Sequence, residues 1–419
     1  MLGLILFTIV CFLFIKYSTI FRVEGIPKSW FSIAFFLKII AGFSLWLVYT
    51  YYYTERADAD IFKYFDDAQY LFEATKDDIN NRLKLLLGTY ANNGELLKET
   101  LHWDKSNTFL INDNRTMIRI HILLYYLSDG YYHLHTLFFA FISFIGSYGL
   151  FTFFKQETKL NPKLILIASF AVPSLLFWAS APLKEGWLLF VLGIFLIGVS
   201  KVGEKISFKN VFILLIGILG LLSLKSYIFI SLFIPLSFFI LSKFIHHKNW
   251  VHIFVGIHAV AITILSLFGN KIISALSAKQ IAFKTLIENE GANSAIYLPA
   301  FNDFKSIISA LPIGLYNVLL RPIYPTNLSP FSLMASLEHI CYFILLLMPF
   351  FFLRKISISE KRIVLFSISF ILISSSVIGL STPILGAIVR YKSPLLPFYL
   401  ILLFTFVDFS KLKNSFSNR

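Results

Sequence analysis

Apolar residues run along this chain in long blocks, separated by polar stretches at intervals that suit an α-helix crossing a bilayer in about twenty residues. Blocks near 2–21, 30–53, 131–154, 164–182, 186–200, 210–224, 228–245, 250–269, 332–353, 363–381 and 394–410 predict about eleven spans in an all-α, polytopic transmembrane bundle. Most of the polar stretches are short and basic. They include 155–163 (Lys155, Lys159, Lys163), 201–209 (Lys201, Lys205, Lys209), 243–249, 354–362 (Arg354, Lys355, Lys361, Arg362) and the tail with Lys411 and Lys413. If 22–29 is cytoplasmic, all of these fall on the same side, which predicts an N-out, C-in chain. Residues 117–128 are apolar but short, and a crossing there would invert every later loop; they are expected as a helix on, or dipping into, the outer leaflet. The opening run lacks a basic n-region and a small-residue cleavage site, so it is expected to be a retained span and not a signal peptide.

Two polar stretches are long, and both fall on the outer side of what reads as a single integral membrane domain over 1–419. The first, 54–130, contains the stretch 58–74. At 100° per residue this places Ile61, Phe65, Ala68 and Phe72 on one helix face, and Asp60, Tyr64 and Asp67 on an adjoining one, with Asp66 pointing elsewhere. Such a helix is expected to lie flat at the membrane surface with its carboxylates just above the hydrocarbon. A further polar helical patch follows around 76–103. The second long loop, 270–331, is polar to about 303 and then turns apolar. That predicts an interfacial or re-entrant helix stopped by Arg321-Pro322. No internal repeat is visible, which gives little support to a transporter built from inverted repeats.

Composition narrows the class further. The 419 residues are 57% hydrophobic, 17% aromatic and only 14% charged, outside the range of soluble domains. The net charge of +14 sits mostly in the short basic loops, so it calls for no nucleic-acid partner. Cys11 and Cys341 lie in separate apolar blocks and offer neither a disulfide framework nor metal spacing.

Ionisable side chains near membrane depth are costly and point to function. Here they gather on the outer side: Asp60, Asp66 and Asp67; Arg119 and His121; the pair Lys184-Glu185; Lys225; Arg321; Glu338-His339; and Arg390. A carboxylate close to hydrocarbon has its pKa pushed up and becomes a usable general base, whereas the plain alternative is a solvated helix face. Lys184-Glu185 follows a block ending in Trp178-Ala179-Ser180-Ala181-Pro182, either the rim of a cavity or an interfacial anchor of Trp plus snorkelling Lys. Lys225, Arg321, Arg390 and Lys392 face outward against the usual charge bias, and together they suit a phosphate. His121, His133 and His135 lack paired ligand spacing and read as interfacial aromatics, with no metal site assigned.

These residues carry a resemblance. Asp-x-x-x-Tyr-x-x-x-Ala after an early span occurs as Asp60…Tyr64…Ala68 and again as Asp66…Tyr70…Ala74, within a long outer loop, and Asp129-Gly130 precedes the next span. In this the chain resembles the GT-C superfamily of membrane glycosyltransferases, which take a sugar from a polyprenyl-phosphate carrier. It is also similar to bacterial envelope-polysaccharide membrane proteins with Phe177-Trp178-Ala-Ser180…Lys184-Glu185, Arg321-Pro322…Glu338 and Val389-Arg390-Tyr391-Lys392…Leu396-Pro397-Phe398. The resemblance implies an inverting transfer at the outer face of a bacterial inner membrane, to a glycan, lipid or protein acceptor. Asp60 (or Asp67, with Asp66 beside it) would be the base. Tyr64, Arg119, Lys184, Glu185, Lys225, Arg321, Glu338, Arg390 and Tyr391 would form the substrate and phosphate site. A divalent cation, Mg²⁺ or Mn²⁺, on Asp66 and Asp67 is compatible but not required. A Wzy-type O-antigen or capsule polymerase is the nearest alternative, its working loop then at 270–331. A lipid-linked oligosaccharide transporter would instead need charges lining a mid-membrane path.

Overall fold

The computed structural model describes residues 2–53, 55–88, 94–103, 112–291, 294–325 and 329–417. It is all-helical: 79% of it is helix, and no strand forms among the described residues. Six helices are long and apolar enough to cross a membrane, or up to eight if each of two bent pairs counts as one span. The six are Lys28–Tyr51, Tyr132–Glu157, Lys184–Glu204, His247–Phe268, Pro330–Phe350 and Ile358–Ser381; the bent pairs are Pro162–Phe170 with Pro173–Ala179, and Leu385–Tyr391 with Ser393–Phe406. The other three blocks of the sequence reading become apolar helices of 16 or 17 residues, Leu2–Tyr17, Phe208–Leu224 and Ser226–Leu241. These are shorter than the usual bilayer requirement.

The chain divides into two compact units, one made of 1–153 and 169–226, the other of 154–168 and 227–419. Within the first lie α1 (Leu2–Tyr17), α2 (Lys28–Tyr51), α3 (Asp60–Ala74), α4 (Ile79–Leu87), α5 (Asp113–Ser128), most of α6 (Tyr132–Glu157), the end of α7 (Pro162–Phe170), α8 (Pro173–Ala179), α9 (Lys184–Glu204) and α10 (Phe208–Leu224). An aromatic core of Phe31, Phe35, Phe144 and Phe170 packs α2 on α6. Glycines bring the helix axes close: a Cβ on Gly193 of α9 would meet the Gly146 carbonyl of α6 at 2.4 Å. One charge lies inside this apolar core. Lys38 is fully buried and donates to Ser143 Oγ at 2.7 Å.

The apolar stripe of α3 is covered by protein. Phe65 meets the rings of Tyr125 and His121 of α5, and Phe72 meets Tyr125 and Tyr126. Helical periodicity records only that a face is apolar, so a lipid-facing stripe and one facing a neighbouring helix look alike in sequence. The patch around 76–103 contains α4, capped by the Asp78 side chain on Asn81 N–H and ended by Gly88 at φ 86°; its 89–93 portion lies outside the described residues.

The second unit holds α11 (Ser226–Leu241), α12 (Trp250–Phe268), α13 (Asn270–Glu290), α14 (Phe304–Leu319), α15 (Pro330–Leu347), α16 (Ile358–Ser381), α17 (Leu385–Tyr391), α18 (Leu396–Phe406) and α19 (Phe409–Ser417). Most of the stretch expected to be polar loop at 270–303 is α13, while α14 matches the expected apolar helix and starts on an Asp303/Ser306 capping box. Ile273, Phe301, Ile307, Ala310 and Leu380 form the core that seats α13 and α14 on α16. None of the residues of α12 is buried, and large apolar side chains such as Val251, Val255, Ile262 and Phe268 stand exposed on it. Surface of that kind on a helix of this length belongs in lipid.

Candidate functional site

Three sequence-distant segments meet in the first unit. Leu45 of α2, Ala59, Ile61 and Phe62 at the start of α3, and Ala181 and Leu183 before α9 form one buried cluster, flanked by Trp46, Tyr49, Tyr132, Phe177 and Trp178. The Phe177-Trp178 motif therefore acts as a wall that presses the first turn of α3 toward the first turn of α9. Asp60 and Tyr64 lie on that part of α3, and Lys184 opens α9.

Lys184 is buried, and its charge is met from a third direction. Its Nζ lies 2.6 Å from Asp113 Oδ2 and donates to Asn114 Oδ1, also at 2.6 Å. Both acceptors sit in the first turn of α5, which the Asn112 side chain caps by accepting from Arg115 N–H at 2.7 Å. The Tyr64 ring centroid is 5.5 Å from the Lys184 ammonium, and Tyr64 OH reaches Asn114 Oδ1 at 3.4 Å. Asp60 and Lys225 are both close enough to contribute to the field at Lys184. Lys225 caps the end of α10, which is tied to α5 by Thr116 Oγ1 donating to the Ser223 carbonyl at 3.1 Å. Carboxylates, an amide, a phenol and two ammonium groups are thus brought near one another. Asp113 and Asn114 were not among the residues singled out in the sequence. The signal available was Asn112-Asp113-Asn114, a helix-start triplet that reads as capping alone.

The other predicted residues of this unit have structural work. Asp67 is buried and accepts from three successive backbone N–H groups, Leu101 at 2.9 Å, His102 at 2.8 Å and Trp103 at 2.7 Å. Asp66 forms a bidentate pair with Arg56, whose guanidinium lies 4.1 Å from the Phe62 ring centroid. Arg119 donates to the Leu85 carbonyl at 3.1 Å and lies 5.3 Å from the Trp103 ring centroid; burial and the neighbouring Arg115 pull its pKa down to about 10. Glu185 is buried in the first turn of α9, and the carboxylate on Lys184 comes from Asp113 and not from this sequence neighbour. Because Asp66 and Asp67 turn to different partners, their geometry does not fit a shared divalent cation. No group of three His, Cys, Asp or Glu side chains among the described residues is placed to hold a metal.

His121 and His135 stack at 5.0 Å with their Nδ1 atoms 2.8 Å apart, and Ser128 Oγ lies 2.7 Å from His135 Nε2. Two neutral imidazoles share one proton along that contact. Burial, and secondarily His135, push His121 well below the ordinary histidine range. His133 stacks instead on Phe43 at 5.0 Å.

In the second unit the late motifs come together around Lys392. Its buried ammonium donates to the Val318 carbonyl at 2.7 Å, the Arg321 carbonyl at 2.9 Å and His339 Nε2 at 2.6 Å. His339 donates from Nδ1 to the Ala335 carbonyl at 2.8 Å, which leaves Nε2 as the acceptor. Glu338 is buried and accepts from Tyr342 OH. Arg321 reaches Asn317 Oδ1 at 3.4 Å and precedes a cis peptide to Pro322. Arg390 is half-buried two residues before Lys392, and Tyr391 packs on Phe283 at 6.4 Å. A small pocket opens here, lined by Val318, His339, Tyr342, Ser375, Lys392 and Tyr399 among others. Asp60, Tyr64, Lys184 and Lys225 therefore belong to the first unit, and Arg321, Glu338, Arg390 and Tyr391 to the second. Compared with known proteins, the chain matches no family model, no curated protein and no solved structure.

Proposed function

We propose that the protein is a GT-C-like, inverting glycosyltransferase of a bacterial inner membrane, taking its sugar from a polyprenyl-phosphate carrier at the outer face. In this reading the chain crosses the bilayer about eleven times, N-out and C-in, using the shorter apolar helices as well. The observation that carries it is the meeting of Asp60 and Tyr64 with Lys184 and Lys225, from helices far apart in sequence, against a Trp- and Phe-lined wall. Inverting transfer needs one base for the acceptor hydroxyl and a fixed positive field for the phosphate that leaves. Asp60 is assigned as the base. Asp67 and Asp66 are assigned to folding, because their oxygens already serve the 101–103 backbone and Arg56. Lys184 and Lys225 take the carrier phosphate. The acceptor, a glycan, lipid or protein, approaches from the Asp60 side.

The test is Asp60→Asn in the native host, with envelope glycan as readout and detergent melting of the purified protein as control. The reading expects product to vanish at unchanged thermal stability. Wild-type glycan levels in that variant would end it.

A second reading has its own support. Lys392 joins the segments carrying Arg321 and Arg390 to the helix carrying Glu338, within one unit and beside a pocket. A Wzy-type polymerase would work through those arginines. Its mark would be single-repeat glycans from Arg321→Ala or Arg390→Ala, with Asp60→Asn silent.

A further inference from the structure

Lys184 and Asp113 are unequal partners. The lysine side chain is 10% exposed and the aspartate 36%, so the cation is fixed in the wall while the anion sits at its open side. An anion arriving from outside would reach Lys184 where Asp113 now stands. Lys184 would not lose its anchorage in the exchange, because Asn114 Oδ1 holds it independently at 2.6 Å. Asp60 and Lys225 are near enough to add to the field at Lys184.

We propose that Asp113 is an internal competitor for the anion site at Lys184, its carboxylate occupying the ammonium until a phosphate monoester displaces it. The chemistry recognised is the phosphoryl oxyanion, whether carried on a lipid or free. The empty site is thereby kept from holding an unmatched buried lysine, and occupancy depends on an exchange of one oxyanion for another. The inference deepens the transferase reading by naming what regulates its anion site. Binding is measured without turnover, so its failure and that of Asp60→Asn are separate results.

The competition predicts a sign that neither a structural nor a substrate-binding role for Asp113 would give: removing the acid improves binding. Full-length protein in detergent is titrated with farnesyl phosphate and with inorganic phosphate, farnesol serving as the uncharged control. Asp113→Asn should tighten farnesyl phosphate by roughly three- to tenfold, the range expected for losing a partly exposed ion pair. The gain should disappear when Lys184→Met is added. Equal tightening of inorganic phosphate assigns recognition to the phosphoryl group by itself; tightening confined to farnesyl phosphate assigns it to a lipid-borne phosphate. Asp113→Ser replaces Asp113→Asn if the amide variant does not fold. Unchanged or weaker binding in a folded Asp113 variant, or a gain that survives Lys184→Met, overturns the proposal.

Discussion

Replacing Asp67 with asparagine separates folding from chemistry on α3. The carboxylate accepts from Leu101, His102 and Trp103 N–H groups at 2.9, 2.8 and 2.7 Å, the first on Oδ1 and the other two on Oδ2. An amide has one oxygen. In its better orientation that oxygen faces His102 and Trp103, and the NH₂ is left against the Leu101 N–H. One hydrogen bond becomes a donor–donor contact, and the surviving two lose their charge assistance. Hydrogen bonds to a charged group contribute about 1.5–3 kcal/mol each and neutral ones about 1, so the change should destabilise the protein by about 2.5–7 kcal/mol. The site is buried, so water does not take up the loss. The assay is thermal unfolding of Asp67→Asn and Asp60→Asn in the same detergent, with proteolysis of the 94–103 segment as a local probe. Asp67→Asn should melt earlier and be cut faster, and Asp60→Asn should do neither. The reasoning fails if Asp67→Asn melts with the wild type yet abolishes glycan. The two carboxylates would then have exchanged roles.

Two further outcomes are specific. His121 is neutral in the fold because its pKa is held well below the ordinary 6.5, while in the unfolded chain it protonates near that value. Its contribution is therefore complete above about pH 6.5 and is lost as pH falls below it, at up to about 1.4 kcal/mol per pH unit; urea unfolding across pH 5–7 should show the slope, and His121→Phe should make it shallower. Lys38 sits in an apolar core with Ser143 Oγ at 2.7 Å. Lys38→Met should be neutral or stabilising by about 1–3 kcal/mol in a melting assay, since an isosteric apolar chain avoids burying the amine; marked destabilisation would show that the amine is needed for packing.

What could be read from the sequence was whatever depends on one segment alone. Each apolar block became a helix or part of a bent pair of helices, and α14 is the apolar helix expected after 303. The helix starts at Asn112 and Asp303 are likewise local, each capped by its own side chain. Partnership could not be read. On a helical wheel Asp60 and Asp67 share one face and Asp66 points elsewhere, which assigns a partner to none of them. Their roles separate only because Arg56 lies below one, the 101–103 backbone wraps another, and Lys184 approaches the third. Lys184 shows the same limit: its acid is seventy-one positions away in the chain, not one. The polar stretch 270–290 reads as loop because its apolar residues are diluted by Lys and Ser, yet Ile273 and Gln280 are buried on α13, where Gln280 Nε2 donates to the Pro299 carbonyl at 2.9 Å.

α12, none of whose residues is fully buried, makes a point about specificity in oil. Its contacts with neighbouring helices include the ring contact of Phe254 with Phe238 at 5.4 Å and the pair His258 Nε2 and Ser369 Oγ at 2.7 Å. In water such an imidazole–hydroxyl pair would exchange freely with solvent and fix nothing. Surrounded by acyl chains it has no competitor, so one polar handshake can choose the azimuth of a rod that is otherwise greasy all round.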